Sequence, residues 1–110
     1  MDERERRIGL NETLFREVNE RVRGINDSFG ERLEEAQFVC ECGDETCMER
    51  VRLPVADYER VRSDAELFVV KPGHEIGDVE VVVERHEGWD VVKKRSGEPA
   101  ELARERDPRS

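Results

Sequence analysis

Cys40, Cys42 and Cys47 fall within eight consecutive positions of a 110-residue chain and are the only cysteines it has. Thiols gathered this closely, once ionised, bind soft and borderline metals or exchange with disulfides. Three thiolates supply three ligands of a tetrahedral zinc site and leave one position to fill. Two histidines, His74 and His86, are present, and either one, or a water, fills it. His74 is preferred because Pro72-Gly73 forms a turn that holds it on a fixed loop. His86 stands beside a charged hairpin end and reads as a solvated histidine. Asp44 and Glu45 are acceptable but less usual zinc ligands.

The C-x-C-x₄-C spacing is not that of a standard zinc finger, so two other readings stay open. In the first the cysteines are a thiol redox site. Cys42 with Cys47 is then the better pair, because Cys40 and Cys42 on one strand face stand near the upper limit for a disulfide. In the second the cysteines are unligated. A catalytic zinc would keep water in its fourth place and need a general base, for which Glu75 is the candidate. No glycine-rich phosphate loop, Ser/His/Asp order or Cys–His nucleophile signature accompanies the cluster. The expectation is therefore a protein without catalytic activity, with a small metal-dependent hydrolase as an outsider.

The elements that must position these residues follow from periodicity. Residues 2 to about 35 read as one long helix. Phe15, Val18, Val22, Ile25 and Phe29 recur at 3-4-3-4 spacing, Asn11 and Leu33 extend the stripe, and Leu10 and Leu14 widen it. Gly24, Gly30 and Asn26-Asp27-Ser28 predict a break within 24–30, with Asp27 or Ser28 capping a second short helix. The apolar seam either packs on the protein's own sheet or meets a partner protein or a second copy of the chain.

Beyond Gln37 the period changes to two. Residues 38–42 and 48–53 predict a hairpin around Gly43-Asp44-Glu45-Thr46, with Cys40 and Cys42 on one face and Glu41 on the other. Pro54 opens a helix whose Val55, Tyr58, Val61 and Arg62 share a face. Residues 66–71 make the most core-like strand. Residues 79–85 and 90–95 make a second hairpin turning at Glu87-Gly88, with a helix over 78–86 as the alternative. Trp89 reads as a packing anchor near that turn.

With 35% hydrophobic and 43% charged residues, the core is small. A compact part of roughly 60 residues is marginal on burial alone and gains from a metal. The net charge is −9, and its positive residues are interleaved with negative ones, as in Glu3-Arg4-Glu5-Arg6-Arg7. Nucleic acid and anionic membrane surfaces are disfavoured as partners. No apolar run suits a signal peptide or a bilayer span, so a cytoplasmic location is expected, where disulfides are improbable.

Residues 7–12 and 15–20, the run Cys40-Glu41-Cys42-Gly43-Asp44 with Cys47, and Pro72-Gly73-His74-Glu75 together resemble a family of small, acidic, uncharacterised bacterial proteins. The resemblance covers most of the chain. It groups the cysteines with the Pro-Gly-His-Glu loop, which favours His74 over His86, and implies no activity, substrate or partner. A weaker likeness is to small zinc-binding anti-sigma regulators, whose H-x₃-C-x₂-C arrangement this sequence lacks.

The expectation is an α+β fold: a long N-terminal helix, a small antiparallel or mixed β-sheet of two hairpins, one connecting helix, and a hairpin pinned by one structural zinc. Residues 1–35 form an amphipathic helical arm, 36–96 a zinc-binding domain with ligands Cys40, Cys42, Cys47 and His74, and 97–110 a flexible charged tail with weak helix from Ala100 to Arg106. The expected role is a zinc-stabilised regulatory or adaptor protein that works through its helix, the alternative a thiol-based redox or metal sensor.

Overall fold

A computed structural model of the chain describes residues 3–28, 35–44 and 46–109, the side chains of residues 25–28 and 98 excepted. The elements run α1 (Glu3–Ser28), β1 (Glu35–Val39), β2 (Arg50–Pro54), α2 (Val55–Arg62), β3 (Leu67–Val70), β4 (Glu80–His86), β5 (Trp89–Lys94) and α3 (Glu98–Glu105). The fold is α+β, as expected. Among the described residues it has three helices, the first of them long, and two small antiparallel sheets, one of β1 and β2 and one ordered β3-β5-β4.

Each hairpin follows from its sequence pattern. In β1 and β2 alternate residues are buried, and the pairing sets Ala36 opposite Leu53 and Phe38 opposite Val51. That register puts the four buried side chains, Ala36, Phe38, Val51 and Leu53, on one face, as a period of two demands. Strand β5 is central and reads as a continuous buried run from Trp89 to Val92, the mark of a strand covered on both faces. Residues 80–86 are a strand with a bulge between Val82 and Glu84, not a helix. Gly88 makes the β4–β5 turn at φ +87°, a backbone conformation that favours glycine.

The three-stranded sheet separates two apolar clusters. On one face Val69 and Val91 pack with Phe38, Leu53, Tyr58 and Trp89. Phe38 and Tyr58 stack there with ring centroids 4.2 Å apart. On the other face Phe68, Val70 and Val92 pack with Cys40, Cys42 and Ala103. The cysteines are thus part of the core on the face that carries α3.

Helix α1 turns a different face inward from the one its apolar spacing suggests. Ile8, Glu12, Arg16 and Asn19 are buried, whereas Leu14 is 56% and Val18 36% exposed. Phe15 is half-buried, and half-buried Val22 packs against the first cluster. Phe29 and Leu33 lie outside the described residues, as does the side chain of Ile25. The inward polar groups have dedicated partners. Arg16 donates to the carbonyls of Ala65 and Ala103, each at 2.6 Å, and lies over the Phe68 ring. Glu12 pairs with Lys94, which also pairs with Glu80, all three fully buried. A polar side chain costs little in a core once it is hydrogen-bonded. The helix runs through Gly24 to Ser28, so the part of 24–30 that is described holds no break, and Gly30 lies outside the described residues; these contacts make the helix part of the body rather than a separate arm.

The weak helix expected within the charged tail at 100–106 is α3, and it is packed on the body instead of forming part of a flexible tail. Gly97 and Pro99 start this helix, and Ala100, Leu102 and Ala103 are buried. It comes so close to α1 that a Cβ on Gly9 would lie 2.9 Å from Leu102 Cδ1. Its apolar stripe, made largely of alanine, is too narrow for composition to distinguish from tail. Past it, Asp107 pairs with buried Arg62, and Arg109 bridges Glu20 and Glu59.

Candidate metal centre

The cysteine segment is where the chain passes from one sheet to the other. The Cys40 N–H donates to the Glu49 carbonyl at 3.1 Å, adding a rung to the β1–β2 hairpin. The next N–H, of Glu41, donates at 2.8 Å to the Val69 carbonyl on β3. Glu41 points away from its flanking cysteines, as strand alternation predicts. Its fully buried carboxylate accepts hydrogen bonds from Val69 N–H at 3.1 Å, Asn19 Nδ2 at 2.8 Å and Tyr58 OH at 3.0 Å. Burial raises its pKa, and those three donors pull it back.

Gly43 then passes through a gap that only glycine fits. A Cβ there would lie 2.5 Å from Ile8 Cγ2 and 3.0 Å from Ile76 Cδ1. Its carbonyl accepts Asn11 Nδ2 at 3.0 Å. The Asp44 carboxylate caps the following turn, accepting the Thr46 N–H at 2.9 Å and hydroxyl at 2.7 Å. Those bonds hold Asp44 below the usual carboxylate range, and they commit it to the turn rather than to a metal. Glu45 lies outside the described residues. The Cys47 N–H donates to the Asp44 carbonyl at 3.0 Å, which returns the third thiol to the first two.

His74 arrives from the β3 side. Gly73, at φ +89°, makes the turn after Pro72, and the His74 N–H donates to the Lys71 carbonyl at 3.0 Å. His74 Nδ1 stands 3.6 Å from Cys40 Sγ and 3.6 Å from Cys47 Sγ. One donor atom from each of Cys40, Cys42, Cys47 and His74 lies within 4.8 Å of all the others. Zinc–sulfur and zinc–nitrogen bond lengths put neighbouring donors of a tetrahedral site about 3.6 Å apart, so the spacing fits a metal held by all four.

One sulfur also receives a backbone amide: Lys71 N–H donates to Cys40 Sγ at 3.2 Å. Amide donors stabilise thiolates and orient them for a metal. Without a metal the three thiols divide the charge unequally. The hydrogen bond from Cys40, with the Asp44 amide, brings Cys42 down to about 5. That same bond, with burial, pushes Cys40 up, and burial pushes Cys47 up. Cys40 and Cys42 are each 2% exposed, and Cys47 is half-exposed.

The structure brings together the four residues that sequence singles out, and His86 is not among them. His86 stacks on Trp89, ring centroids 3.8 Å apart, with Nε2 2.8 Å from Glu84 Oε1. Trp89 is 4% exposed and belongs to the core. Glu75 is half-buried and lies outside the donor group. Sequence reasoning missed Glu41, Asn11 and Asn19. Alternation sets Glu41 only on the side opposite the cysteines, and it is β3, α1 and Tyr58 that bury that side. Compared with protein-family models, curated proteins and solved structures, the chain matches none.

Proposed function

We propose that this chain is a zinc-stabilised regulatory or adaptor protein, without catalytic activity of its own, that works through protein contacts of α1. The observation that carries the reading is the convergence of Cys40, Cys42, Cys47 and His74 within 4.8 Å. Three thiolates and an imidazole suit zinc above magnesium or calcium. With every tetrahedral position taken by a side chain, none is left for water or substrate, which favours a structural over a catalytic metal. Three free cysteines suit the reducing cytoplasm, and no described helix is long and apolar enough to cross a membrane.

The partner surface is the outer face of α1. Leu14 and Val18 are exposed and, one turn apart, share that face with half-buried Phe15. Of the other seam positions, Val22 serves the protein's own core. Interleaved charge and the net −9 favour a protein partner over nucleic acid or an anionic membrane. The test is elemental analysis of protein purified under reduction, beside His74→Ala, followed by association measurements on Leu14→Glu/Val18→Glu. One zinc per chain, weakened in His74→Ala, and association lost in the double variant with zinc retained are expected. Protein free of zinc, or association untouched, overturns the respective half.

A second reading, a thiol sensor, draws on the contrast between half-exposed Cys47 and its buried partners. In a sensor, low peroxide ejects the metal and links Cys42 to Cys47. A structural site resists.

A further inference from the structure

The residues that flank the cysteines are among those that hold α1. Val39, Glu41 and Gly43 interleave with Cys40 and Cys42, and each touches the helix. Asn19 Nδ2 donates to the Val39 carbonyl at 2.9 Å and to the Glu41 carboxylate at 2.8 Å, and Asn19 Oδ1 accepts the Val39 N–H at 2.8 Å. Asn11 Nδ2 donates to the Gly43 carbonyl at 3.0 Å, and Ile8 closes over the Gly43 backbone. The other wall of the Gly43 gap is Ile76, two residues past His74. The helix therefore rests on a surface built from both ligand-bearing loops.

Other contacts of α1 lie away from that surface: Arg16 bonds the Ala65 and Ala103 carbonyls, Glu12 pairs with Lys94, and Val22 packs on the first cluster. Ile8, Asn11 and Asn19 are the residues that meet the ligand loops, whereas the three-stranded sheet keeps its own hydrogen-bond ladders. A hydrogen bond depends steeply on distance and angle, so a small shift of the 39–43 backbone breaks several of these contacts together.

We infer that metal occupancy of the Cys40/Cys42/Cys47/His74 site controls the docking of α1. With four donors bound, the backbone between the ligands is fixed where Ile8, Asn11 and Asn19 meet it. With the metal removed, the loops relax, the contacts of Ile8, Asn11 and Asn19 are lost together, and that part of the helix face loosens. The inference rests on the metal reading above and adds its regulation. The helix proposed to meet a partner is the element that responds to the metal. By linkage the coupling runs both ways: the factor by which bound metal favours the docked helix is the factor by which docking favours the metal.

Amide hydrogen exchange on the full chain tests this, with zinc bound and after removal by a chelator, each state checked by elemental analysis. Chelation is expected to speed exchange across residues 3–19 by about tenfold or more, while amides of β3 and β5 change far less, as sub-global opening predicts. Asn11→Ala removes one contact and no ligand. It is expected to hold one zinc at saturation, to exchange faster in α1 with zinc bound, and to bind zinc several-fold more weakly in competition with a chromophoric chelator. Gly43→Ala, which collides with Ile8, is expected to do the same more strongly. Unchanged α1 exchange after verified zinc loss overturns the inference, as does equal acceleration of α1 and β5, which is global unfolding. Asn11→Ala with wild-type zinc affinity and wild-type α1 exchange overturns it too. Failure of the metal reading shows in elemental analysis as no zinc in the wild type, and the inference falls with it.

Discussion

Glu41 and Val69 exchange hydrogen bonds in both directions. The Glu41 N–H donates to the Val69 carbonyl at 2.8 Å, and the Glu41 carboxylate accepts the Val69 N–H at 3.1 Å. A side chain here completes what a neighbouring strand would supply, sealing the outer edge of β3 with one residue.

Removing that carboxylate should be costly. Glu41→Ala leaves the Val69 N–H, the Tyr58 hydroxyl and one Asn19 donor bond without their acceptor, each buried group costing about 1–3 kcal/mol. A loss of roughly 3–5 kcal/mol is expected in urea unfolding of zinc-loaded protein. Glu41→Gln, which keeps an acceptor oxygen, should fall between. A Glu41→Ala midpoint equal to the wild type would refute this role.

The buried cluster of Glu12, Glu80 and Lys94 sets a pH dependence. Burial holds Glu12 well above its ordinary value of 4.5; the Lys94 charge pulls it back, and its bond with Glu80 pushes it up again. A carboxyl raised by folding contributes stability that is complete below the unfolded pKa and is lost as pH rises through the folded one. Glu12→Gln keeps the shape and removes the titration. Its unfolding free energy should therefore fall less steeply above pH 4.5, by up to about 1.4 kcal/mol per pH unit. Parallel stability profiles for the two proteins would contradict the assignment.

Arg16 works by geometry as much as by charge. Its guanidinium reaches the Ala65 and Ala103 carbonyls at once, with its Cζ 4.6 Å from the Phe68 ring centroid. A lysine ammonium is a point charge without that planar fork. Arg16→Lys should lower stability by about 2 kcal/mol, one buried carbonyl losing its charged donor. Thermal unfolding reads the effect, and a variant as stable as the wild type would show that the fork is dispensable.

The two histidines should separate in metal affinity. His74→Ala removes a ligand and should weaken zinc binding well beyond tenfold, since even outer-shell changes cost about 10–100-fold. His86→Ala removes only the ring stacked on Trp89 and the contact with Glu84 and should leave zinc affinity unchanged. Cobalt(II) substitution adds a spectroscopic readout, because thiolate-to-cobalt charge transfer should persist in His86→Ala and weaken in His74→Ala.

What the sequence made legible was whatever its own neighbourhood determines. The β1–β2 and β4–β5 hairpins carry their alternation and turn residues locally. Tyr58, Val61 and Arg62 show the buried face of α2 by spacing alone. The candidate centre was legible because three ligands lie close in sequence and a Pro-Gly turn presents the fourth. The inward face of α1 was not, because Glu12, Arg16 and Asn19 are acceptable in a core only through partners 82, 87 and 20–22 positions away. Hydropathy reads such residues as solvent-facing. Helix α3 was legible only as weak helix in a tail, because small alanines do little for a periodicity count and much for close helix packing.

The bond from Arg16 to the Ala103 carbonyl spans 87 positions, which bears on the order in which the protein is made. Local hairpins close quickly, and contacts that join distant stretches come late. Helix α1 leaves the ribosome first, yet its arginine has no acceptor on α3 until residue 103 has been synthesised. Until then Arg16 has only the Ala65 carbonyl to bond, and the docking of α1 is completed late.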